Sequence, residues 1–207
     1  MQLTITEDLI DSRKLAEKYH YEKESLEQIE ALFHEVCIHV PFIEVYRKTI
    51  SQEEYGLLPV DQAELMALTL GTKMDDWQEY DLEHENLTTA YMLDCVSNEI
   101  LLMLYRQLNR QYAIETGRYV KRYHFIGEKI PLEEMPRLLA LLDQTEITSN
   151  AYGVLLPKIS VVFFAETTTQ QEEECQGICQ FCARAACPNK SSQGFHLTYG
   201  YQKIFNN

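Results

Sequence analysis

The chain has 207 residues, and its 32 acidic side chains against 18 lysines and arginines give a formal charge of -14. That length suits one large domain, or one domain with a small appendage, and can bury a substantial core. The acidity argues against nucleic acid and anionic membranes as partners. The opening Met1-Gln2-Leu3-Thr4-Ile5-Thr6 has neither the basic n-region nor the apolar h-region of a signal peptide, and no run reads as membrane-spanning. The expected location is therefore cytoplasmic and reducing.

Asp8 to His20 reads as a first helix. Lys23 to His39 reads as a second, with Leu26, Ile29, Leu32, Phe33 and Val36 recurring on one side and Pro41 closing it. Phe42 to Ile50 is rich in aromatic and β-branched residues and reads as a strand. After Gly56 and Pro59, Ala63 to Leu70 is a short apolar run closed by Gly71, a length that suits a buried strand. Met74 to Glu85 reads as an acidic helix holding Trp77, the only tryptophan.

Asn86 is placed to cap a long helix running to about Glu115 and stopped by Gly117. Its stripe of Ala90, Leu93, Ile100, Leu104 and Leu108, widened by Met92, Val96 and Met103, marks it as central. Glu99 interrupts that stripe and is read as a carboxylate at the solvent edge, with an acid at a pocket wall as the functional alternative. Cys37 and Cys95 stand alone in apolar patterns, as ordinary buried residues do.

Arg118 to Gly127 is basic and aromatic-rich. It reads either as a segment gripping an anionic or planar ligand or as a strand with its charges in water. Pro131 starts another amphipathic helix to Leu142. Thr148 to Leu156, a turn at Pro157, and a strand from Ile159 to Ala165 follow, and Phe195 to Phe205 alternates as a closing strand. Long helices mixed with strands that lack regular crossover helices favour an α+β fold over a doubly wound sheet.

Cys175, Cys179, Cys182 and Cys187 fall within thirteen residues at C-x3-C-x2-C-x4-C spacing. A core has no use for four thiols interleaved with Gly and Arg. An iron-sulfur cluster or zinc takes such ligands from short loops, and a pair of disulfides is the alternative that a reducing location disfavours. The first three cysteines also match the spacing of radical S-adenosylmethionine enzymes, but those carry it early and follow it with a long barrel. A polar, unpatterned segment without a metal is the remaining reading, suggested by Thr167 to Glu174.

Ordered blocks run from Ala63 to Cys187: Ala67-Leu68-Thr69-Leu70-Gly71 with Asp75; Ala90-Tyr91-Met92-Leu93-Asp94 and Ser97-Asn98-Glu99; Arg122, then Pro131-Leu132; Pro157-Lys158-Ile159-Ser160-Val161; and Cys179-x2-Cys182-x4-Cys187. In order and spacing they resemble the activation domain of cobalamin-dependent methionine synthase, in its free-standing form. The resemblance implies a C-shaped α+β domain, with a mostly antiparallel sheet flanked by long helices, that binds S-adenosylmethionine and caps a corrinoid. An oxidised cob(II)alamin on a partner would be reduced by one electron and remethylated, the cofactor carrying the chemistry. The implied partners are a corrinoid-binding protein or the catalytic modules of methionine synthase.

On the same resemblance Glu99 would receive the ammonium of the methionine moiety and Arg122 its carboxylate. His124 and Gly127 join them as pocket residues, because where the family has Ser-Pro-Gly-Tyr-Gly-Asp this chain has His124-Phe125-Ile126-Gly127-Glu128-Lys129. A β-branched residue such as Ile126 suits a glycine turn poorly. The alternative reading is therefore a non-enzymatic metal-binding or iron-sulfur partner of a corrinoid system that has lost the S-adenosylmethionine site. Residues 1-60 are read as an N-terminal segment packed on the same domain, 61-167 as the activation-like core, and 168-207 as the cysteine-rich segment with the closing strand.

Overall fold

The computed structural model describes residues 1-175. Cys179, Cys182, Cys187 and the expected strand from Phe195 to Phe205 lie outside the described residues. The described part is α+β, built on a curled five-stranded antiparallel sheet with long helices.

In chain order the elements are β1 (Gln2–Thr4), α1 (Ser12–Lys18), α2 (Leu26–His39), β2 (Phe42–Ser51), β3 (Gln62–Thr69), α3 (Thr72–Glu83), α4 (Leu87–Thr116), β4 (Tyr119–Phe125), α5 (Met135–Leu141), a two-residue hairpin of β5 (Thr148–Ser149) and β6 (Leu155–Leu156), and β7 (Ser160–Thr168). The sheet order is β1-β2-β3-β7-β4, and each neighbouring pair is antiparallel.

β3 and β7 occupy the middle, and both of their faces are covered. Met66 and Leu68 of β3, with Phe163 and Ala165 of β7, point toward α1, α2 and α4. Ala63, Leu65 and Ala67, with Val162 and Phe164, point the other way, into a second core closed by Tyr55, Leu58, Ile130 and α5. This is why Ala63 to Leu70 reads as a mainly apolar run, continuous from Leu65 to Leu68, and not as an alternating one.

Several of the expected boundaries shift. The first helix begins at Ser12, not Asp8, because the Asp11 carboxylate accepts from the backbone N–H groups of Arg13 and Lys14 at 3.1 and 3.2 Å and so caps it there. It stops at Lys18, and His20 turns with φ of 60°. Asn86 does stand at the N-cap of α4, but its side chain makes no capping bond. Its Nδ2 instead donates to Asp81 at 3.5 Å. Gly117 ends α4 in the left-handed conformation, φ 66°, that glycine tolerates best.

α4 is long and apolar enough to cross a membrane, but 56% of its most apolar window is buried inside the protein, as a core helix requires. Around Phe163, which is fully buried, the rings of Tyr105, Tyr123 and Phe125 pack at centroid distances of 5.2 to 5.9 Å, joining α4, β4 and β7. Phe163→Ala should cost about 3–5 kcal/mol, read as a lowered urea midpoint at unchanged slope.

Candidate functional site

Glu99 is not at a solvent edge. It is 1% exposed on α4, and its Oε2 lies 2.6 Å from Lys18 Nζ of α1, so a buried carboxylate carries its own counter-ion. The Lys18 ammonium also lies 5.2 Å from the centroid of the Tyr19 ring. Burial, then the nearby Glu99 charge, pushes the Tyr19 hydroxyl well above the usual phenol range. On the same helix the buried thiol of Cys95 meets Tyr21 at 3.9 Å and is pushed up by burial, which makes it a poor nucleophile. Cys37, expected to be buried, is only half-buried.

β4 is a strand, and a bulge sets which of its side chains meet the helices. Val120 pairs with Thr167, but Arg122 pairs with Glu166, so Lys121 is the extra residue. Val120, Tyr123 and Phe125 therefore all pack on the α4 side. Arg122 and His124 stand on the opposite face, with Phe164 and Glu166 of β7. Arg122 thus stands on the face of the sheet away from α4, the helix that carries Glu99.

His124 is 9% exposed, with Nε2 at 3.3 Å from Glu166 Oε2. Burial holds its pKa below the ordinary 6.5, against the opposing pull of Glu166, and the charges of Arg122 and Lys129 add to the lowering. Gly127 takes φ of 94° and donates its N–H to Ile130 at 2.7 Å, so the turn glycine stands there, one residue after Ile126. A Cβ on Gly127 would come within 3.1 Å of the Leu132 side chain.

Blocks far apart in sequence meet where β3 ends and β7 begins. Ser160 Oγ lies 2.7 Å from Thr69 Oγ1, Gly71 N–H donates to the same Thr69 oxygen, and the Asp75 carboxylate accepts from Lys158 N–H at 2.9 Å. Beside this junction opens a cleft of about 570 Å³ whose walls include Pro41, Thr69, Gly71, Lys73, Glu146 and Pro157. Gly71 enters α3 at φ 80°, a conformation that disfavours side chains.

Two further polar groups escaped sequence reasoning because their partners are distant in the chain. Glu64, 7% exposed on β3, accepts from Thr49 at 2.5 Å, and Arg47 lies 3.8 Å away. Arg47 in turn reaches Glu115 of α4 at 3.4 Å and lies over the Tyr112 ring.

Of the four clustered cysteines, Cys175 alone lies among the described residues. It is 3% exposed and belongs to the helix-side core. Its N–H donates to Val120 at 2.8 Å, and its carbonyl accepts from Asn109 Nδ2 at 3.1 Å. Among the described residues, no three His, Cys, Asp or Glu side chains gather to hold a metal ion.

Compared with known proteins, the chain matches no family model and no curated protein.

Lys18→Met leaves Glu99 buried without its cation and should cost about 2–3 kcal/mol. That is below the usual range for a broken buried pair, because a quarter of the Lys18 side chain is in water. The double variant with Glu99→Leu should recover most of the loss in urea unfolding. For His124 the folded pKa is the lower one, so at mildly acid pH the unfolded chain binds the extra proton. Its contribution is intact above pH 6.5 and lost as pH falls toward the depressed folded value. His124→Gln should flatten that segment of the stability-pH curve.

Proposed function

We propose that this chain is a non-enzymatic partner protein of a corrinoid methyl-transfer system. It keeps the α+β scaffold of the reactivation domains it resembles without their S-adenosylmethionine clamp. One observation carries this reading: the Glu99 carboxylate is committed to Lys18 between α1 and α4, while Arg122 lies across the sheet. The ammonium and carboxylate of an amino-acid moiety share one carbon, so their receptors must face one pocket. A carboxylate already neutralised at 2.6 Å also has little to offer a second ammonium. The residues present do not fit the ligand in that pose.

The cysteine cluster is the other half of the proposal. Cys175, Cys179, Cys182 and Cys187 together offer enough thiolates for zinc or an iron-sulfur cluster.

A second reading, a stand-alone reactivation protein that does bind S-adenosylmethionine, is favoured by the meeting of Thr69, Gly71, Asp75 and Ser160 beside the cleft, whose volume lies within the range of small-molecule sites.

Calorimetric titration of S-adenosylmethionine into anaerobically purified protein separates the two. No saturable heat is expected. Binding that weakens in both Glu99→Gln and Arg122→Ala would overturn the first reading in favour of the second. In parallel, Cys179→Ser and Cys182→Ser should lose bound iron or zinc by elemental analysis. Cys175→Ala should cost about 1–2 kcal/mol of stability, because its side chain is buried in the helix-side core.

A further inference from the structure

A second, smaller hollow of about 250 Å³ lies between α2 and α3, over α4. Leu32 and Glu35 reach it from α2, Trp77, Tyr80 and Asp81 from α3, and Leu93 from α4. Helical spacing places these side chains together: 77, 80 and 81 are i, i+3 and i+4, as are neighbours on any helix face. The groove is separate from the cleft at Gly71 and shares only His39 with it.

The lining is of two kinds. Trp77, Tyr80, Leu32 and Leu93 give an aromatic and aliphatic surface, and Glu35 and Asp81 bring carboxylates to it. His39 is held in place from both sides, with Nε2 at 3.3 Å from Glu35 and its ring edge-to-face with Trp77 at 5.1 Å. An anion would meet two carboxylates here. A bare metal ion would lack a gathered set of ligands, since no such group occurs among the described residues. An uncharged apolar molecule would leave the carboxylates without a use.

An ammonium bearing methyl groups satisfies both kinds of wall, because its charge is attracted by ring faces and carboxylates while its methyl groups pack on carbon. The Lys73 ammonium, one turn earlier on α3, lies 5.5 Å from the centroid of Trp77, within the distance at which a ring attracts a cation. The formal charge of -14 draws cations toward the surface as a whole. We propose that the groove formed by Trp77, Tyr80, Asp81 and Glu35 is a binding site for a small methylated ammonium ion.

Trp77 is the only tryptophan in the chain, so its fluorescence reports on this groove. The full-length protein is titrated with choline and, separately, with 3,3-dimethyl-1-butanol, the uncharged isostere of the same shape, with potassium chloride as the ionic-strength control. A saturable change with choline is expected, with the isostere about tenfold weaker or more. Asp81→Asn and Glu35→Gln, checked for native circular dichroism, should each weaken choline several-fold and leave the isostere unchanged. The proposal is overturned if choline gives no saturable change, if potassium chloride reproduces it, or if the isostere binds as well.

Discussion

β3 and β7 are apolar on both faces, and a strand pair of that composition needs two coats. Leu65, Met66, Phe163 and Phe164 are all fully buried, and neighbours along each strand point in opposite directions. Burying such side chains is worth about 1.5–3 kcal/mol each, so leaving either face wet would forfeit several of them at once. The remaining architecture answers that demand: α1, α2 and α4 coat one face, and α5 with the Tyr55–Leu58 loop coats the other. The N-terminal stretch is part of the same solution, because β1 and β2 extend the sheet and Leu3, Ile5 and Ile10 enter the helix-side core.

A sheet coated on both faces also acts as a partition. Whether two residues on it can serve one ligand is decided by parity, and on β4 parity is reset by the bulge at Lys121. Were the alternation unbroken from Val120, Arg122 and His124 would face α4, the helix that carries Glu99. With one residue inserted, Tyr123 and Phe125 take those positions and build the ring cluster around Phe163. The aromatic packing that joins α4 to the sheet and the separation of Arg122 from Glu99 are therefore one event.

Much of this was legible in the sequence where the signal is local. The short apolar run Ala63 to Leu70 before Gly71 identified a buried strand, and the stripe from Ala90 to Leu108 identified the central helix. Gly117 marked its end because only a left-handed residue closes a helix that way. The failures were non-local. Glu99 looked like an edge carboxylate because its partner Lys18 lies 81 residues earlier, on a helix whose true start depends on Asp11. Thr69 and Ser160 are separated by 91 positions, and neither carries a sign of the other. A bulge leaves no mark in a segment such as Tyr119 to Phe125, where either parity offers plausible residues to the core.

Asn109 shows how the last described residue is fixed. Its Oδ1 accepts from the Tyr123 hydroxyl and its Nδ2 donates to the Cys175 carbonyl, so one buried side chain on α4 ties down both β4 and the chain's exit from the sheet. Each of those groups would otherwise be buried without a partner, at about 1–3 kcal/mol apiece. The Cys175 N–H, donating to Val120, spans the same place from the strand side. A residue held through its N–H and its carbonyl has its backbone position set by the core.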